Sequence, residues 1–287
     1  MKALLASFLL AALAFAAPAT AEEPRTILFI GNSFTQGANS AVLRYRPDSV
    51  EDLNDEGVGG IPALFAKFAE QADVAWKVSH ELRGGSTLGY HLNERREKID
   101  APWDVVVMQQ YSVLDPETPG DVTDTAADAP ALARMFTAAN PSADVHLMAA
   151  WSRADQVYRE GGHWYGRPVQ AMALDLRYAM NTVDAASPEI DGVIPVGEAW
   201  NRAMSEGIAD PNPYDGRTFG KIDLWSYDQY HASAEGSYLE ALVLFGYVTG
   251  VDPRTFGPSE RAAHELGIEP RIAQALQQVA ARQLGMV

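Results

Sequence analysis

Two short polar clusters in this 287-residue chain carry the residue types of nucleophilic catalysis. Gly31-Asn32-Ser33-Phe34 follows directly on an apolar run, Thr26–Ile30. A glycine there lets the backbone bend sharply. The serine is then expected near a helix N-terminus, where backbone N–H groups can face a developing oxyanion. Taken alone, such a tetrapeptide is ordinary turn composition. Its weight comes from Asp228-Gln229-Tyr230-His231, which lies just ahead of a Ser233-capped helix. A carboxylate and an imidazole three residues apart on a turn can meet. Asp228 would fix the tautomer of His231 and leave the other ring nitrogen free to deprotonate a serine. A satisfied Asp–His pair at a helix start is the plainer alternative. The order Ser…Asp…His, with both clusters at expected loop ends, favours catalysis.

The elements that must position these residues alternate in type. Apolar runs at Thr26–Ile30, Val74–Leu82, Trp103–Met108, Asp144–Ala149 and Asp191–Val196 read as about five strands. The three consecutive valines of the third suit a sheet buried on both faces. Helical spacing falls between them, over Pro62–Gln71, Leu88–Ile99, Ala126–Ala139 and Pro168–Ala185. A short helix is expected at Glu198–Glu206, then a long one from the Ser233 cap to Gly250, then one or two amphipathic helices over Ser259–Leu284. This alternation predicts βαβ units around a parallel sheet. In such sheets ligands bind beyond the carboxyl ends of the strands, where both clusters lie. The acidic, poorly periodic stretch Ala38–Gly60 reads as a loop inserted over the sheet edge.

The blocks Ile27–Gly37 and Asp228–Leu239 resemble the first and last conserved blocks of the SGNH/GDSL hydrolases, with Asn32 in place of the more familiar aspartate. The resemblance implies a flavodoxin-like three-layer α/β/α sandwich, with Ser33 as nucleophile and Asp228 and His231 completing a triad. It also implies an oxyanion hole built from the Ser33 N–H, a glycine N–H and a side-chain amide. The glycine matches Arg83-Gly84-Gly85-Ser86, where the place before Ser86 favours Gly85. The amide is a departure, because this chain reads Met108-Gln109-Gln110-Tyr111 after the third strand. Either glutamine can donate, and strand alternation lets only one face the site, which register assigns to Gln109.

Asn32, Gln110, Trp151 and His163 are further candidates to contact substrate. His163 and its neighbours Trp164 and Tyr165 form an aromatic, glycine-rich loop suited to an acyl or sugar surface. His80, His91, His146 and His264 lack ligand spacing and read as structural. The acidic run Asp48–Glu56 lacks a calcium-loop pattern and reads as a solvated face. No cofactor and no metal is expected.

Composition bounds the remainder. Hydrophobic residues make up 47% and charged residues 21% of the chain, which suits a globular protein. There are no cysteines, which excludes a cysteine nucleophile, disulfides and thiolate metal sites. A formal charge of −16 disfavours nucleic acid and anionic membranes as partners. Lys2, the apolar run Leu4–Ala17 and the small-x-small site Ala19-Thr20-Ala21 predict an export signal over residues 1–21. A catalytic domain over 22–287 would then reach the periplasm or the exterior, without stable membrane insertion. The activity expected is hydrolysis of carboxylic esters, with acetyl esters of carbohydrate among the candidates. Two rivals are a non-catalytic ligand-binding protein on the same fold and an O-acyltransferase.

Overall fold

Ile27, Leu28, Phe29 and Ile30 are all fully buried, and this continuous apolar run forms the central strand β1, Arg25–Gly31. The computed structural model describes residues 23–286, so the expected export signal lies outside the described residues. Five more strands follow: β2 (Glu51–Asp52), β3 (Trp76–Leu82), β4 (Val105–Gln109), β5 (Asp144–Met148) and β6 (Val193–Ile194). All pair in parallel, in the order β2-β3-β1-β4-β5-β6. Without the edge strand β2 this is the flavodoxin-like order, which reverses direction at β1.

The helices form two groups on either side of the sheet. Helix α1 (Gly60–Gln71) packs against α8 (Ala234–Thr249), and α8 against α10 (Pro270–Gln283). On the other side α2 (Leu88–Glu94) packs against α4 (Thr123–Ala139), and α4 against α6 (Gln170–Ala186). The short helices are α3 (Arg96–Ile99), α5 (Ala154–Tyr158), α7 (Val196–Ser205) and α9 (Arg261–Glu265). One hydrophobic cluster runs from Ile27 to Ala280, so both helical layers share the sheet's core. The architecture is a three-layer α/β/α sandwich.

Helix α8 starts and stops as its sequence predicts. The Ser233 hydroxyl accepts the Gly236 N–H at 3.1 Å, and Gly250 ends the helix at φ 71°. Several boundaries differ. The expected helix Leu88–Ile99 breaks at Arg95 into α2 and α3. The final stretch divides into α9 and α10. Strand β6 keeps only two residues of the expected six, because Gly192 bends at φ 124° and the Asp191 carboxylate accepts the Val145 N–H.

Strand β2 was not expected. It arises inside the insertion 38–60, where Glu51-Asp52 pairs with Ser79-His80 of β3. The acidic run is therefore no solvated face throughout. Asp52 accepts the N–H groups of Asn54, Glu56 and Val58, and Glu56 pairs with Arg83. These bonds hold the Asp52 carboxyl below its ordinary range although burial acts to raise it. Among the described residues no helix is long and apolar enough to cross a membrane, and no cluster of three or more His, Asp or Glu could hold a metal.

Candidate active site

Strand β1 ends at Gly31 because nothing larger fits there. A Cβ at this position would come within 2.7 Å of the Gln109 Oε1 atom, at the end of the neighbouring β4. That oxygen accepts the Asn32 N–H at 2.9 Å and the Thr35 hydroxyl at 3.2 Å. The Asn32 Oδ1 atom then accepts the Phe34 N–H at 3.2 Å, an Asx turn that leaves Ser33 at its apex. Ala38 N–H closes the next turn on the Ser33 carbonyl. Hydrogen-bonded turns continue from Ser33, and α1 begins only at Gly60. The helix N-terminus expected behind the serine is thus replaced by a turn.

The second cluster folds as a carboxylate-centred loop. Asp228 Oδ1 accepts the N–H groups of Tyr230 and His231 at 3.1 and 3.0 Å, and Gln229 takes the left-handed conformation at φ 53°. The Ser226 N–H donates to the His231 carbonyl at 2.7 Å. His231 Nδ1 then lies 2.7 Å from Asp228 Oδ2, and His231 Nε2 lies 2.9 Å from Ser33 Oγ. The two clusters, from opposite ends of the chain, meet at this point. Burial acts to raise the Asp228 carboxyl, but bonds from the His231 ring, two backbone N–H groups and Asn39 outweigh it. The net pKa is lowered, so the group stays ionised beside the imidazole.

Asn39 was not anticipated. It comes from the insertion at φ 62°, and its Nδ2 donates to Asp228 Oδ2 at 2.7 Å. The Ser226 hydroxyl fixes it by donating to the Asn39 carbonyl at 2.6 Å. Its position after Gly37 carried a turn signal, but nothing in the sequence marks a partner this far along the chain. Tyr230 was also missed as a support. Its ring stands 4.0 Å from the His231 ring, and the Arg153 guanidinium stacks 3.8 Å above it while bound to both oxygens of Asp155.

The expected oxyanion and substrate groups divide. The Ser33 and Gly85 N–H groups have no acceptor among the described residues. Gly85 lies in a turn closed by Ser86 N–H to Arg83 O, at φ 75°, with open space where a Cβ would stand. The expectation for Gln109 needs correction. Its oxygen holds Asn32 and Thr35, and its Nε2 turns to the Gln110 carbonyl, so it braces the Ser33 turn. Gln110 is likewise committed, accepting the Leu88 and Tyr111 N–H groups and donating to Thr125.

Of the residues expected to contact substrate, Asn32, Gln110 and Trp151 are buried. Asn32 Nδ2 points to the Ser86 carbonyl at 3.0 Å. Trp151 is stacked between Phe34 and Trp200, because an apolar indole gains more from the core than from the rim. His163 is exposed, but it lines a separate hollow of about 390 Å³ with Leu114, Trp164 and Tyr178. Tyr227, beside Asp228, is 77% exposed and borders a hollow of about 320 Å³ with Asn39 and Ser226.

No family model matches the sequence, and no curated protein matches it. Solved structures do. A DUF4886 family protein from Bacteroides uniformis is 19% identical, with a TM-score of 0.63 over 92% of this chain and 97% of that one. A Parabacteroides merdae protein described as a GDSL-like lipase is 20% identical, with a TM-score of 0.55 over 80% of this chain and 98% of that one. A variant of Axe2, an acetyl-xylooligosaccharide esterase from Geobacillus, is 14% identical, with a TM-score of 0.51 over 79% and 95%. The chain thus shares its fold with structures described as a GDSL-like lipase and an acetyl-xylooligosaccharide esterase.

Proposed function

We propose that the protein is an exported serine esterase that cleaves short acyl esters, with acetyl groups on carbohydrate as its substrate class. The observation that carries this reading is the continuous chain Asp228 Oδ2, His231 Nδ1, His231 Nε2, Ser33 Oγ, at 2.7 and 2.9 Å. A non-catalytic binding protein would have no need for that alignment. The sugar ester class draws support from the fold shared with the acetyl-xylooligosaccharide esterase. The exposed Tyr227 next to the triad offers a ring on which a pyranose can pack. Export rests on the sequence pattern of residues 1–21.

In this mechanism Ser33 Oγ bonds to the ester carbonyl carbon as His231 Nε2 takes its proton. The carbonyl π pair moves onto oxygen, where the N–H groups of Ser33 and Gly85 receive it. Each such donor contributes about 3 kcal/mol to the transition state. The C–O bond to the alcohol then breaks, and the alcohol leaves with the proton from His231. Water repeats the sequence on the acyl-enzyme, releasing the acid and restoring the serine. Asp228 holds the ring in the required tautomer throughout.

A fluorophosphonate probe tests the assignment. Wild type should label and Ser33→Ala should not, and acetylated xylooligosaccharides should be turned over alongside p-nitrophenyl acetate. An unlabelled wild type, or equal labelling of the variant, would remove the reading. Acetyl transfer to added sugar in preference to water would redirect it to an acyltransferase.

A further inference from the structure

Beside the triad lies a second chain of carboxylate, imidazole and hydroxyl that the mechanism above does not use. Glu81 on β3 and His91 on α2 are both fully buried, and the His91 Nδ1 atom sits against Glu81 Oε2. Asn54 donates to Glu81 Oε1 at 2.8 Å, and the Arg95 guanidinium stands 3.4 Å from the same oxygen. Burial acts to raise the Glu81 carboxyl, but these partners outweigh it and the net pKa is lowered. The far side of the imidazole, Nε2, lies 2.8 Å from the Ser86 hydroxyl.

Every polar group of Ser86 is engaged. Its hydroxyl also lies 3.2 Å from the Gly31 carbonyl, its N–H donates to Arg83 O at 3.0 Å, and its carbonyl accepts Asn32 Nδ2 at 3.0 Å. This one residue therefore touches the strand end before the nucleophile, the residue beside the nucleophile, and the peptide after Gly85. A carboxylate carries a desolvation cost of several kcal/mol when buried. An apolar packing of the same volume would hold α2 on the sheet without it. What the polar chain adds is direction, since hydrogen bonds fix angles that apolar contacts leave loose.

We propose that Glu81, His91 and Ser86 form a positioning relay that aims the Gly85 and Ser33 N–H groups at the oxyanion. Ser86 is only 7% exposed and its hydroxyl is taken up by His91 and the Gly31 carbonyl, so it is a positioning residue and not a second nucleophile. The inference rests on the esterase reading above and adds the means by which its oxyanion hole is held. Losing the relay tilts donors by a fraction of an ångström, which weakens the transition state more than the bound ester. Misplacement of up to 1 Å costs as much as ~100-fold in rate.

The test measures turnover of p-nitrophenyl acetate by wild type, Ser86→Ala, Ser86→Thr and His91→Gln. A boronic acid that adds to Ser33 serves as a tetrahedral mimic. Ser86→Ala and His91→Gln should lose about 10- to 100-fold in kcat with KM within twofold, and boronate affinity should fall by the same factor. Ser86→Thr keeps the hydroxyl and should recover most of the rate. Should Ser86→Ala not fold, His91→Gln is read by the same criteria. An active wild type whose folded variants keep kcat within twofold, even where KM rises, overturns the relay alone. A wild type with neither turnover nor fluorophosphonate labelling overturns the esterase reading and the relay with it.

Discussion

The Trp151 indole lies flat against the Phe34 ring, with 4.2 Å between centroids and 7° between planes. Phe34 follows Ser33, so the serine turn rests on a stack that continues through Trp151 into Trp200 at 4.6 Å. The Trp151 Nε1–H also donates to the Tyr230 carbonyl at 3.3 Å, next to His231. One buried side chain thereby supports both the Ser33 turn and the His231 loop. Trp151→Ala should cost about 3 to 5 kcal/mol in urea unfolding, as for other large aromatic truncations in a core. Its Km for ester should stay near wild type if the folded fraction is counted. A variant with unchanged stability and weakened substrate binding would return Trp151 to the pocket wall.

Asn39→Ala should lower kcat about tenfold at neutral pH, with KM within twofold, because Asp228 loses a donor that holds its ring-facing oxygen. Asn39→Asp should be worse than alanine, since it sets a second carboxylate against Asp228. Steady-state kinetics on a small aryl ester decides the order. Equal rates for the two variants would mean that only the shape of this loop matters.

Gly85→Ala has room for its methyl group but not the backbone, which sits at φ 75° where L-residues are strained by about 1 to 2 kcal/mol. Relief of that strain should turn the N–H away and reduce kcat by about 10- to 100-fold. Gly84→Ala is the control. A Cβ there meets only Gln36 Oε1 at an ordinary 3.7 Å, so turnover should stay within twofold. Reversed effects would assign the oxyanion donor to Gly84.

Glu240 on α8 is wholly buried with neither carboxylate oxygen partnered, and burial raises its pKa well above the usual range. The folded protein therefore keeps a proton that the unfolded chain releases above its own pKa of about 4.3. Stability then falls as pH rises from that value until the folded group ionises. Glu240→Gln removes the dependence. Its melting temperature should gain on wild type by roughly 3 to 5 °C per pH unit through this window, and the advantage should vanish near pH 4. Parallel melting curves from pH 4 to 8 would show a constant gap if Glu240 were ionised in the fold.

Much of the scaffold was legible because burial on both faces leaves an unbroken apolar run. Strands β1 and β4 read directly from Ile27–Ile30 and Val105–Met108. Strand β2 did not, because Glu51-Asp52 joins the sheet over two residues only, with acidic side chains that carry no strand-like pattern. At the site, the approach of Ser33, Asp228 and His231 to one another was readable from type and spacing. The roles of the two glutamines were not, because alternation along a strand says which way a side chain points and nothing about what already occupies its hydrogen bonds. Asn39 shows the same limit, since its partner is fixed only once the chain has closed.

The segment 38–60 sits where one expects dispensable decoration, yet it is fastened at both margins of the molecule. At one end Asn39 grips the Asp228 carboxylate, and at the other Glu51-Asp52 covers the outer edge of β3. Trimming it to a short connector would bare an unpaired strand edge, a template for self-association, in the same cut that released the base from its tether. Loss of turnover and loss of solubility should therefore arrive together in any loop-shortened form.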